Sequence, residues 1–211
     1  MQYTPKENVM AFLEQNPDLF KEMGNIGMGH ACTAVSQLLS IKANRSIPAV
    51  WSLSKEEMSG YLELFEGGSI GVTLSLCEDV GGAIIHIVSL PFAAKLIKQF
   101  FHKDVHSIEE IDEVSMSVVQ EMTNITTGAF VNSISSMTGL FIDISTPHFC
   151  TDLKTEVVNN APEKMIVVQN RILIEMGSIG SELIFMPHRE SLCLIAEKLC
   201  EKYGFEIPDN I

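Results

Sequence analysis

Two constellations in this chain have the residue types and spacing to place a water beside a phosphoryl group. Asp18, Glu22 and Asn25 are followed by Pro48, and Ser117, Glu121 and Asn124, ninety-nine residues further on, are followed by Pro147. Both fit one pattern: Asp or Ser, three residues, Glu, two residues, Asn, twenty-two residues, Pro. A carboxamide carries donors and an acceptor and needs no particular pH. It can hold a water in line with a phosphorus atom, and phosphoryl hydrolysis asks for little beyond positioning and charge stabilisation. If the substrate is an aspartyl phosphate on another protein, that partner can bring its own metal and cation. The hydrolase then needs to insert an amide and to anchor itself through a carboxylate–lysine contact.

At average residue usage the pattern would arise on the order of 0.003 times in such a chain. Two copies at one offset therefore mean an internal duplication. If each stretch is helical, positions 18, 22, 25 and 29 fall at i, i+4, i+7 and i+11, a single stripe, as do 117, 121, 124 and 128. The last member of each stripe is a glycine, Gly29 or Gly128. It leaves bare backbone one turn beyond the asparagine, where another surface can come close. Leu19, Met23, Ile26, Val35 and Leu38 lie at core-facing spacing in the first copy, matched by Val118, Met122, Ile125, Ile134 and Met137 in the second.

The elements that must carry these stripes follow in the same order in both halves. A short helix over Thr4 to Gln15 precedes Asn16-Pro17-Asp18, which opens a long helix to about Ser40. Ala49 to Leu53 reads as a strand, Lys55 to Phe65 as a helix, and the alternation over 69–76 with Ala83 to Leu90 as a hairpin. Pro91 starts a helix to about Phe101. In the second half, Ser107 with Glu110 forms a capping-box pattern for a long helix to about Met137. A short strand after Pro147 leads to an irregular acidic loop, Thr151 to Glu163. A second hairpin follows, from Met165 to Met176 and Glu182 to Met186, and then a final helix, His188 to Tyr203. The expected fold is α/β: one mixed, largely antiparallel sheet covered by helices, with an internal pseudo-twofold duplication. Residues 1–211 then form a single domain of two repeats, about 17–101 and about 107–203.

Composition narrows the function classes. Hydrophobic residues make up 46%, enough for a substantial core. There is no apolar run of membrane-span length, and Met1 to Lys6 lack a signal pattern. Five cysteines without a Cys-x-x-Cys read as reduced thiols in a cytoplasmic protein. A net charge of −13 opposes duplex binding, so no nucleic-acid partner is expected.

Other candidates carry less. His102 and His106 stand at i, i+4, but no Glu follows His102 as in His-Glu-x-x-His, so no metal role is assigned. His30 reads as a helix-packing or capping histidine rather than a catalytic base, and Cys32 as a buried thiol. Gly67-Gly68 and Gly81-Gly82 lack the lysine of a phosphate loop and read as turns.

Glu22-Met23-Gly24-Asn25-Ile26-Gly27-Met28-Gly29-His30-Ala31, with Ala34 to Leu39, resembles the CheC family of chemotaxis phosphatases. Glu121-Met122-Thr123-Asn124-Ile125, with Gly128 and Ser135 to Leu140, resembles that family's second signature helix. The resemblance runs over nearly the whole chain and is nearest to stand-alone CheC among CheC, CheX and FliY. It implies a CheC-like fold and dephosphorylation of phosphorylated CheY, a receiver carrying an aspartyl phosphate. Asn25 and Asn124 would orient the attacking water. Glu22 and Glu121 would pair with a lysine of the receiver. No cofactor is bound by the chain itself, and Mg²⁺ is expected on the receiver. CheD is a second partner the family admits, and monomer and homodimer both fit. The alternative is a scaffold for CheD or a flagellar-switch-like component with little turnover. The absence of an added switch domain after Tyr203 weighs against the latter. Two departures stand out: Met28 where a smaller residue is common, and Thr123 in place of glycine, expected to narrow the approach to Asn124.

Overall fold

A computed structural model describes residues 13–150, 152–174 and 178–204. The helix expected over Thr4 to Gln15 falls largely outside them; residues 13–15 are helical. The elements are α1 (Asp18–Leu39), β1 (Asn44–Arg45), β2 (Ala49–Ser54), α2 (Lys55–Glu63), β3 (Ser69–Glu78), β4 (Gly82–Ser89) and α3 (Leu90–Phe101). A 3₁₀ turn (Ile108–Glu110) leads to α4 (Glu113–Thr138), β5 (Ile142–Ile144), β6 (His148–Cys150) and α5 (Leu153–Asn160). β7 (Lys164–Leu173), β8 (Ile179–Pro187) and α6 (Arg189–Tyr203) complete the fold.

The strands form one sheet in the order β1-β7-β8-β4-β3-β5, with β2 also on β7 and β6 also on β3. Every pairing is antiparallel. The order is related to itself by a pseudo-twofold between β4 and β8, where Ile84 faces Phe185 and His86 faces Leu183. The halves are interleaved, because each lends its short strands to the other's hairpin: Arg45 of β1 sits opposite Ile172 of β7. Ile144 of β5 sits opposite Leu76 of β3.

The two long helices pack side by side over one face of this sheet. Met23, Met28 and Val35 of α1, with Met122, Phe130 and Ile134 of α4, are buried in a common core with Val72, Ile84 and Phe185 of the sheet. Leu19, Ile26 and Leu38 border that core rather than entering it. Gly27 permits the close helix crossing, since a Cβ there would lie 2.6 Å from the Phe130 ring. Phe130 meets Phe185 edge to face at 5.7 Å. Gly24 lets α1 lie down on the sheet, because a Cβ would come within 3.2 Å of Asn170, Val168 and Pro48. That contact is a physical reason for the proline in the first copy of the pattern.

The short strands β1 and β5 had no counterpart in the sequence reading, and other elements differ from it as well. The acidic stretch expected to be irregular contains α5, whose Asp152 carboxylate accepts the Thr155 N–H at 2.9 Å as an N-cap. Ser107 precedes only the 3₁₀ turn, and α4 is capped instead by Asp112, which accepts from Ser115 N at 2.8 Å. β8 begins at Ile179, earlier than Glu182, because Ile172 and Leu173 of β7 still offer partners there.

His86 sits on the helix-covered face of β4, fully buried, and neither ring nitrogen has a partner among the described residues. Burial alone pushes its pKa down to about 3. The folded pKa lies below the unfolded one, so the neutral ring is harmless above pH 6.5 and folding loses free energy as pH falls from there towards 3. At pH 5 the loss from this residue is about 2 kcal/mol. His86→Leu is expected to remove that slope. Urea midpoints at pH 7 and pH 5 check it, and an equal pH dependence in both proteins would refute it.

Candidate functional site

The stripes lie along α1 and α4. α1 is one unbroken helix from Asp18 to Leu39 and α4 from Glu113 to Thr138, so the i, i+4, i+7, i+11 spacing holds in both. Glu22 and Glu121 are exposed, Asn25 is half-buried and Asn124 is exposed. Neither amide is sealed under the sheet. Among the described residues, neither Glu22 nor Glu121 has a salt-bridge partner, whereas Asp18 is taken by Lys21 at 2.8 Å. A groove of about 820 Å³ runs along the first stripe, lined by Asp18, Glu22, Asn25, Gly29, Arg45 and Pro48 among others.

The local fold explains which way each side chain points. Thr123 immediately precedes Asn124, and a one-residue step on a helix is a turn of about 100°. Thr123 is therefore fully buried, with its hydroxyl bonded to the Gln120 carbonyl at 2.8 Å. It does not border the approach to Asn124, and the expected narrowing is absent. Met28 is likewise fully buried and fills core. His30 joins the two helices through Ser133 Oγ at 2.5 Å. Cys32 is buried and its thiol is pushed up to about 11 by that burial, which the Arg45 charge only partly opposes. His102 ends α3 in a left-handed conformation, so it shares no helix with His106.

One site neighbour escaped the sequence reading. Arg45 Nε donates to Asn25 Oδ1 at 2.6 Å. Its guanidinium also lies over the bare backbone of Gly29, where a Cβ would stand 3.4 Å from Nη1 and 3.7 Å from Cζ. The duplication held the signal that would have found it: position 144, ninety-nine residues on, is an isoleucine. Ile144 packs against the core, Asn124 has no side-chain partner among the described residues, and nothing lies within 4 Å of a Cβ built on Gly128.

Fold and site together define a class: a duplicated α/β protein presenting a Glu–Asn pair on each of two neighbouring helices. A sequence model of the CheC-like family matches residues 114–150, the α4 signature and the strands after it. The CheY-P phosphatase CheC of Bacillus subtilis is 26% identical over 176 residues, 81% of this chain and 78% of that protein. The crystal structure of Thermotoga maritima FliY superposes with a TM-score of 0.68 at 22% identity, covering 96% of this chain and all of the other. A CheX–CheY–BeF₃–Mg²⁺ complex from Borrelia burgdorferi matches at TM-score 0.52 and 18% identity, over 77% of this chain and 95% of that one. The two structures speak to fold alone. The chain is thus similar to the CheC-like family in sequence and in fold, as its two signature helices implied. Among the described residues no helix is long and apolar enough to cross a membrane.

Proposed function

We propose that this protein hydrolyses the aspartyl phosphate of a phosphorylated CheY-like response regulator. Asn25 and Asn124 are the water-orienting amides, and Glu22 and Glu121 the carboxylates that meet a lysine of the receiver. The observation that carries this reading is that each long helix holds its Glu, Asn and Gly on one face, with Glu22, Glu121 and Asn124 exposed and Asn25 half-buried. A projecting helix face of this kind can enter a shallow phosphorylated pocket, where a buried amide could not. The names of its relatives point the same way, one being a CheY-P phosphatase and another a complex with CheY.

The chemistry asked of the chain is small. The receiver supplies the Mg²⁺ that neutralises the phosphoryl oxygens. The amide oxygen accepts a hydrogen bond from the water while the amide nitrogen stays free to donate, which fixes the water's lone pair towards phosphorus. The water oxygen bonds to phosphorus as the bond between phosphorus and the aspartyl oxygen breaks. The aspartate leaves as a carboxylate, and both water protons end on the released phosphate. Such positioning needs no titrating group on this chain, so no pH optimum is expected from the Asn residues themselves.

The test is direct. A phosphorylated receiver from the same organism, with Mg²⁺, is expected to lose phosphate faster when this protein is added than by its own hydrolysis. Binding to the receiver without any acceleration would favour the scaffold reading instead and would end the enzymatic one.

A further inference from the structure

The two halves repeat the Glu–Asn pair but not its surroundings, and the difference lies in one side chain. We propose that Arg45 is a positioning residue that holds Asn25 out of service, so that the two sites are unequal and Asn124 carries most of the turnover. This rests on the phosphatase reading above.

Three effects of Arg45 act in one direction. A guanidinium has donors only, so it must face the amide oxygen of Asn25 rather than its nitrogen. At 2.6 Å it occupies the end of the amide that would accept the water's hydrogen bond. The same side chain covers the bare backbone at Gly29, the place left free for a partner's close approach. Its fixed positive charge also shares the groove with Glu22, where it repels the lysine that Glu22 is proposed to meet. At the second site Ile144 supplies no donor and no charge, and Gly128 is open.

Arg45 is not placed there by chance of a long flexible side chain. It belongs to β1, which pairs with β7 opposite Ile172, and the next residue donates its N–H to the Arg171 carbonyl at 3.1 Å. The backbone that carries the guanidinium is therefore pinned to the sheet on the rim of the groove. Displacing it means breaking one charge-assisted hydrogen bond at a solvent-facing position.

The experiment isolates the first site. Asn124→Ala is expected to lower receiver dephosphorylation roughly tenfold, and Asn124→Ala with Arg45→Ile to recover most of it, the weight of one charge-assisted hydrogen bond. Asn124→Ala with Arg45→Lys should fall between, since lysine keeps the charge but loses the fork. If Asn124→Ala keeps half or more of the rate, the sites are equal and the proposal fails. If Arg45→Ile lowers the rate of the Asn124→Ala protein further, Arg45 serves the phosphoryl group, and the proposal also fails. A second readout needs no activity. In a nitrogen-15 spectrum of the free protein, Arg45→Ile is expected to shift the Asn25 side-chain amide pair and leave that of Asn124 unmoved. An unmoved Asn25 pair overturns the contact itself. Should the unaltered protein dephosphorylate no receiver, the phosphatase reading falls while those amide signals still judge the Arg45 clamp.

Discussion

Replacing both Asn25 and Asn124 by alanine is expected to return the receiver's dephosphorylation to its own slow rate, a loss of about 10²-fold or more for a reaction governed by positioning. Neither amide supports the fold: Asn124 is exposed, and the half-buried Asn25 side chain makes, among the described residues, one hydrogen bond, to the exposed Arg45. Stability should therefore change by no more than about 0.5 kcal/mol. A parallel pair, Glu22→Ala with Glu121→Ala, separates the roles. Removing an anchor that acts equally before and during the reaction raises KM and leaves kcat nearly alone, whereas removing the amide lowers kcat. Steady-state rates over a range of phosphorylated receiver concentrations check both. An unchanged rate in the double asparagine variant would show that the water is held by something else.

Glu182→Ala is expected to give the largest loss of stability, about 3–5 kcal/mol, because it leaves a buried network without its anion. Glu182 is 1% exposed and pairs with Arg171 at 2.9 Å. It also accepts from Gln169 at 2.6 Å and from the Tyr61 hydroxyl. Burial and the neighbouring carboxylate together push the Tyr61 phenol up, so it stays a donor throughout the working range of pH. The network ties α2 to the β7–β8 hairpin beneath a cluster in which Tyr61 meets Trp51 and Phe65 edge to face at 5.3 Å. Thermal melting should fall by roughly 10 °C for a chain of this size. Glu182→Gln keeps an acceptor for Arg171 and should lose distinctly less. Equal melting temperatures for the alanine variant and the unaltered protein would rule out this anchoring role. The network also reaches the functional face, since the Arg171 carbonyl receives the N–H of Ser46 beside Arg45.

Much of the architecture was legible because periodicity and punctuation agree. Pro17, Pro48, Pro91 and Gly139 stand at or near element ends, and alternation over 69–76 marked β3. The helix α5 was not legible from its own residues. It is short and polar, and among its members only Val157 is buried, so a helical period hardly shows. It forms because Asp152 caps it and because it packs beside α2, with Lys154 reaching Glu63. The duplication could have supplied it, since α2 occupies the same place in the first half. Ser107 misled for a related reason: its capping pattern with Glu110 is genuine in form, yet the chain makes only one 3₁₀ turn before Asp112 starts the long helix.

What the sequence determined by itself was the chemistry on each stripe. Helical spacing puts Glu, Asn and Gly on one face whatever surrounds them, and a repeat at a constant offset makes two such faces. What only the tertiary structure decided was what each face meets. Thr123 turned inward because its neighbour faces out and the helix advances by about 100° per residue. Arg45 reached Asn25 because a two-residue strand from the first half pairs with a long strand from the second, a register no local pattern encodes. Side-chain type travels with the chain, but which groups share a groove depends on strand pairing between distant segments.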